Sequence, residues 1–350
     1  MASLTQTSII ARKIIRFSIY AVIFIIVARF TIGLGIRIYR NFFPEPPPPP
    51  TVTFGKMPTL PFPENPEGTG NLTYSLETPE GELPDFGQQA KVYVMPKIPP
   101  TIQSLEFAKQ KSTSLGFSGV GRELVETVFL FPNNSAPSTL TMNIVSGIFS
   151  ISYDLRANPS AIESSPPAPE LATTQVRSYL ARAELLKDDL SGPVTHDFIK
   201  IEEGRFVPAL SLSESHLIKV NLFRKSIDEL PSVTSTPKEA NVWFMLSGSD
   251  DRPNQIIAAE YHYYPLNEEE HATYPIKTAQ KAWEELNSQE AKIVSIDDPS
   301  VENIKIRNVY LAYYDAGQYT TYYQPIVVFE GDNDFVAYVP AVTEEYYGQD

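Results

Sequence analysis

The side chains able to do chemistry are few and scattered. The four histidines, His196, His216, His262 and His271, form no HExxH, and no two lie four residues apart. His262 stands between Tyr261 and Tyr263, a setting that suits a sheet surface better than a metal ligand. His271 follows Glu268-Glu269-Glu270, which reads as a solvated loop. Gly116-Phe117-Ser118-Gly119 falls short of the GxSxG elbow. Gly119 and Gly121 lack the third glycine of a dinucleotide fingerprint. Ser235-Thr236-Pro237-Lys238 has the form SxxK, without a helix to present it or a KTG companion. The acidic turns Asp250-Asp251, Asp297-Asp298 and Asp332-Asn333-Asp334 miss the EF-hand spacing, and such residues favour turns for backbone reasons. With no cysteine, a thiol nucleophile, a disulfide scaffold and a Cys-ligated metal are excluded. No catalytic residue, cofactor or metal is expected.

Tyrosine is the concentrated signal: 13 of the 19 lie in residues 261–350. Cross-strand aromatic pairs stabilise sheets by roughly 0.2–1 kcal/mol each, a sufficient structural reason for them. The functional alternatives are a protein-partner surface, because tyrosine is enriched at interface hot spots, or a platform for stacking glycans. The partner-surface candidates are Tyr261, Tyr263, Tyr310, Tyr313, Tyr314, Tyr319, Tyr322 and Tyr323.

The elements that would carry these residues form an α+β pattern. Strands are predicted over 71–77, 91–95, 124–131, 139–155 (two, meeting at Ser146-Gly147), 196–202 and 216–223. Helices are predicted over 101–111 and 174–187, the second from its apolar spacing of Val176, Tyr179, Leu180, Ala183 and Leu186. After a polar break at 231–239 the order repeats. A hairpin over 241–248 and 255–264 is followed by a helix opened by Pro275, and then by strands over 304–314, 324–331 and 335–342. Ser146-Gly147 is echoed by Ser247-Gly248, which suggests a duplication. Trp283 is expected in the buried stripe of the last helix. Antiparallel strands with segregated helices predict two lobes, each a sheet packed by a helix.

Charge and hydropathy give an address. The chain of 350 residues has a formal charge of −14, which argues against nucleic-acid binding. Residues 1–44 hold six basic side chains and no acidic one, so the remainder carries −20. Residues 17–36 are predominantly apolar and, as a helix, reach about 30 Å, enough to cross a bilayer core. Arg29 is then read as snorkelling to the interface. A cleaved signal sequence ending near Gly33-Leu34-Gly35 is the alternative. Pro46 to Pro50 and later prolines predict an extended spacer. The expected organisation is a cytoplasmic N-terminus over 1–16, a transmembrane helix over 17–36, a Pro-rich stem over 37–70, a first lobe over 71–232 and a second over 237–350.

The C-terminal part, AQKAWEELNSQEAKIVSI (279–296, expected as helix) followed by NVYLAYYDAGQYTTYYQPIVVFEGDNDFVAYVPAV (308–342), resembles YycH/YycI-type regulatory proteins. The shared features are the Ala-Trp helix, an aromatic strand (Tyr310, Tyr313, Tyr314), a strand led by Pro325 and a strand ending Val339-Pro340-Ala341. No motif in 71–235 carries over. The resemblance implies PepSY-like α+β units on a single-pass anchor in a bacterial cell envelope. It also implies regulation by protein–protein contact, without catalysis. The expected function is modulation of an envelope sensor or protease, with most of the chain extracytoplasmic. The expected partners are the bilayer, through 17–36, and an envelope or membrane protein. The alternative is a cell-wall or glycan-binding module, or an accessory subunit of an envelope enzyme.

Overall fold

The computed structural model describes residues 4–42 and 48–349. Helix α1, Leu4–Phe42, contains a 22-residue apolar stretch, Arg16–Arg37, long and apolar enough to cross a membrane. Within it only Arg29 is charged between the flanking arginines, and a long apolar run without a polar face has no aqueous side to present. The second unit comprises Pro50–Asp350.

That unit is α+β, with mostly antiparallel sheets. A nine-stranded antiparallel sheet runs, in spatial order, Arg122–Val125, Val128–Pro132, Ser138–Asn143, Phe149–Tyr153, Ile256–Tyr261, Val242–Ser247, Leu217–Leu222, Val194–Glu202 and Arg205–Pro208. Helices α2 (Ser104–Ser114) and α3 (Pro169–Arg182) contribute to the core against it. Pro169 occupies the first turn of α3, where its missing N–H costs nothing. Ala172, Val176 and Leu180 then face Ile218, Val220, Leu222 and Phe244.

A six-stranded sheet is built on the long strand Asn303–Asp315, with Ser232–Thr234, Pro325–Gly331, Val336–Pro340, Lys292–Ser295 and Thr73–Leu76. Helix α4 (Ala279–Asn287) packs on it through Ala282 and Leu286. Gln89–Val94, Asn267–Pro275 and Tyr322–Tyr323 form a small third sheet.

Several expectations are corrected here. The break at 231–239 does not separate two sheets. Strands Val242–Ser247 and Ile256–Tyr261 lie beyond it yet sit inside the nine-stranded sheet, while Thr73–Leu76 and Gln89–Val94 lie before it and join the other sheets. Both edges of the second hairpin need backbone partners, and Phe149–Tyr153 and Leu217–Leu222 supply them. The two echoed hairpins are therefore neighbours in one sheet.

Pro275 ends a strand, and Thr278 caps α4 by accepting a hydrogen bond from the Lys281 N–H. The helix expected to reach 296 stops at Asn287, and Lys292–Ser295 is a strand. Residues 124–131 are two strands, not one. Glu268–His271 belong to a strand with an irregular register against Gln89–Val94. Trp283 is half-buried against Phe329, with ring centroids 6.1 Å apart, and does not fill a closed site.

The stem is the largest correction. Residues 43–47 lie outside the described residues, and Pro48–Pro50 are exposed. From Val52 onward the segment is a strap on the second unit. Met57 is fully buried and Leu60 nearly so. Met57–Pro58 pairs with Tyr347–Gln349. Prolines do not prevent this, because an edge segment can hydrogen-bond through carbonyls alone. The apolar residues between the prolines, Val52, Phe54, Met57, Leu60 and Phe62, supply the burial.

Candidate functional site

The histidines and acidic turns do structural work. His196 Nε2 lies 2.8 Å from the Thr173 hydroxyl, joining α3 to its strand. His216 Nδ1 accepts from the Ile201 N–H at 3.0 Å. The His271 ring packs 5.5 Å from that of Tyr93. Asp298 caps Ser300, Asp332 pairs with Arg307 at 2.8 Å, and Asp334 pairs with Lys238 of the SxxK stretch at 2.5 Å. Gly119 and Gly121 reflect close packing. A Cβ on either would lie 2.5 Å from Pro132 or Phe131.

His262 is held by Glu260 (2.9 Å) and the Gly317 carbonyl (3.1 Å). The hydrogen bond to Glu260 raises its pKa above the ordinary value. A raised folded-state pKa stabilises the fold below the unfolded value of about 6.5, and that contribution is lost as pH rises through the folded pKa. Thermal unfolding should therefore show a fall in stability above about pH 6.5 that is reduced in His262→Gln. An unchanged pH profile in the variant would refute the assignment.

The tyrosines proposed as a partner surface are mostly inside. Tyr261, Tyr313, Tyr314 and Tyr323 are buried, Tyr263, Tyr310 and Tyr322 are half-buried, and Tyr319 alone among the eight is exposed. Burial pushes the phenols of Tyr261, Tyr263, Tyr310, Tyr313, Tyr314 and Tyr323 above their ordinary pKa. The buried rings are unavailable for stacking glycans or a partner. Their hydroxyls fasten loops. Tyr314 donates to the Pro61 carbonyl (3.2 Å), Tyr274 to Gly55 (2.9 Å) and Tyr338 to Thr234 (2.9 Å), while Tyr347 accepts from the Leu60 N–H (2.9 Å). Phe62 packs 4.8 Å from the Tyr314 ring, and Phe54 stacks on Tyr322 at 5.1 Å. One group of tyrosines thus holds the proline strap.

A second group surrounds a buried clasp that the sequence reading did not single out. Arg224 follows the fully buried strand Leu217–Leu222 and is itself 4% exposed. Its Nε donates to Asp315 at 2.7 Å, its Nη1 to Asp189 at 2.5 Å and its Nη2 to the Tyr264 carbonyl. The guanidinium lies 4.6 Å from the Tyr263 ring centroid and 5.9 Å from that of Tyr323. Burial opposes its charge, but Asp315, Tyr323 and Asp189 outweigh that and raise its pKa. Asp315 ends the long strand of the six-stranded sheet, so the clasp joins the two main sheets. A Cβ on Gly192 would sit 2.1 Å from the Arg224 carbonyl oxygen, so the backbone there needs glycine. Nothing opens onto this cluster beyond a very small void, which suits a structural role.

A cleft of about 570 Å³ opens on the nine-stranded sheet. Its walls are one flank of α3, the C-terminal end of α2 with Leu115–Phe117, the turn containing Asn133 and Ser135, and the Arg252–Ile256 loop. Leu115, Phe117, Val176 and Leu246 form an apolar floor. Ser, Thr, Asn and Gln side chains supply neutral polar walls. The charged lining is Arg182 and Arg252, with no carboxylate. Among the described residues neither guanidinium has an ion-pair partner, and Arg182 lies 5.9 Å over the Tyr179 ring. The sequence held little signal for this cleft, because it is assembled from four segments far apart in the chain.

Comparison with known proteins adds little. No family model and no curated protein matches the chain. A solved structure, an uncharacterized protein from Eubacterium rectale ATCC 33656, is similar over 75% of this chain and 86% of that one, at 10% identity and a TM-score of 0.38. A likeness that distant supports no conclusion about this chain's fold or function.

Proposed function

We propose that the chain is a single-pass, membrane-anchored extracytoplasmic protein that works by binding another envelope or membrane protein, without catalysis. The observation that carries this reading is the 22-residue apolar stretch of α1, followed by a separate folded unit. The charge division supports it: the basic segment brackets the apolar stretch, and the acidic remainder is repelled by anionic lipid. Basic residues ahead of the apolar stretch favour an inside N-terminus, although Arg37 and Arg40 oppose it. The resemblance to YycH/YycI-type proteins makes the role regulatory, acting on an envelope sensor or protease. Two-lobe, PepSY-like organisation belongs to the same proposal.

The test is photo-crosslinking of the full-length chain in native membranes, with probes on the exposed surface of the second unit. A discrete adduct with an envelope or membrane protein is expected. Recovery of the chain in the soluble fraction, or no adduct from any probe position, would overturn the proposal.

A further inference from the structure

We propose that the α2–α3 cleft binds an acidic peptide segment, its carboxylates held by Arg182 and Arg252 and an apolar side chain seated on the Phe117–Leu246 floor. This deepens the partner-binding reading above and rests on it.

Three observations define the occupant. The first is charge. In a region that is strongly acidic overall, this cleft is lined by two guanidinium groups and no carboxylate. Arg224 is tied to Asp189 and Asp315 and Arg307 to Glu77 and Asp332, whereas the two arginines that share this cleft have no carboxylate partner among the described residues. An unpaired guanidinium presents a planar fork of donors matched to carboxylate geometry. Contact with the Tyr179 ring leaves the Arg182 fork open at its edges.

The second observation is shape and polarity. About 570 Å³ falls within the range of pockets that enclose a small ligand, roughly 300–1,000 Å³. It suits a few residues of peptide better than a globular face. Neutral side chains such as Gln175 and Ser178 can pair with peptide groups, and the apolar floor rewards one buried side chain.

The third is the local dipole. The end of α2 that reaches the cleft is its C-terminus, where the partial charge is negative. That disfavours a compact polyanion such as free phosphate. A peptide brings N–H donors together with its carboxylates and so satisfies both the carbonyl-rich end and the arginines.

The probe is a fluorescein-labelled, acetylated peptide of alternating leucine and glutamate, titrated into the full-length protein in detergent and read by anisotropy. Its counterpart with glutamine for every glutamate is the control, and inorganic phosphate is the competitor. Saturable binding is expected, weaker by about tenfold for the glutamine peptide. Arg182→Gln and Arg252→Gln should each weaken binding by about five- to tenfold, and Arg177→Gln, on α3 but outside the cleft lining, should not. Both cleft arginines are exposed, so thermal midpoints should be unchanged, which separates lost binding from lost folding. No binding, equal binding of the neutral peptide, unaltered binding by the cleft variants, or full displacement by phosphate would each overturn the proposal. This readout uses no membrane partner, so its failure is distinguishable from failure of the crosslinking test.

Discussion

Replacing Arg224 with methionine should destabilise the second unit by about 3–5 kcal/mol, because Asp189 and Asp315 would remain buried without their counter-ion. Asp315 is 6% exposed and Asp189 already has one buried oxygen with no hydrogen-bond partner. The Asp315 side chain is 8% exposed and that of Asp189 12%. The same variant with Asp189→Asn and Asp315→Asn should recover much of the loss, since it removes the charges as well as their partner. Chemical denaturation of the full chain in detergent measures both. A loss below about 1 kcal/mol for Arg224→Met would show that the two sheets do not depend on the clasp.

Phe329→Ala should cost a similar amount, about 3–5 kcal/mol. Phe329 is fully buried in the middle of the six-stranded sheet and supports α4 through Trp283. The neighbouring Trp283→Ala should cost clearly less, since half-exposed surface carries less transfer free energy and leaves a groove that water can enter. The order of the two is the sharp part of the expectation. Trp283→Ala proving the more damaging would mean that α4 is seated more deeply than described. The buried ion pair Lys277–Glu285, 2.8 Å, also fixes the start of that helix.

What was legible in the sequence was whatever has a short period. The short apolar-rich strands at 196–202, 216–223 and 324–331, the spacing of α3 and the apolar stretch of α1 all appear near their expected places. What was not legible depends on distant partners. The run at 268–271 looked polar enough for a loop; Glu268–Glu270 form an exposed bulge in an edge strand whose pairing with Gln89–Val94 resumes at His271. The prolines of 44–66 looked like a spacer because their apolar neighbours are isolated, and only a complementary tyrosine surface more than 200 residues away gives those neighbours a seat. The tyrosines themselves were noticed for their number, but type and alternation do not tell a hot spot from a fastener. Tyr261, Tyr313, Tyr314 and Tyr323 became fasteners once their hydroxyls found partners in the interior. Arg224 and the cleft arginines escaped notice for the same reason. A single arginine carries no pattern until the fold brings its neighbours to it.

The strap also bears on how the second unit could be released from its anchor. A protease cutting before Pro50 would free a body with every buried seat still filled. A cut between Leu60 and Asn71 would instead separate Val52, Phe54, Met57 and Leu60 from the chain that they cover. The detached piece would then be held only by noncovalent contacts with Tyr274, Tyr322 and Tyr347. Cleavage before Pro50 and cleavage beyond Leu60 would thus yield different products. The first is an intact shed domain, and the second a nicked one that sheds its cover over time and exposes a tyrosine-lined trough.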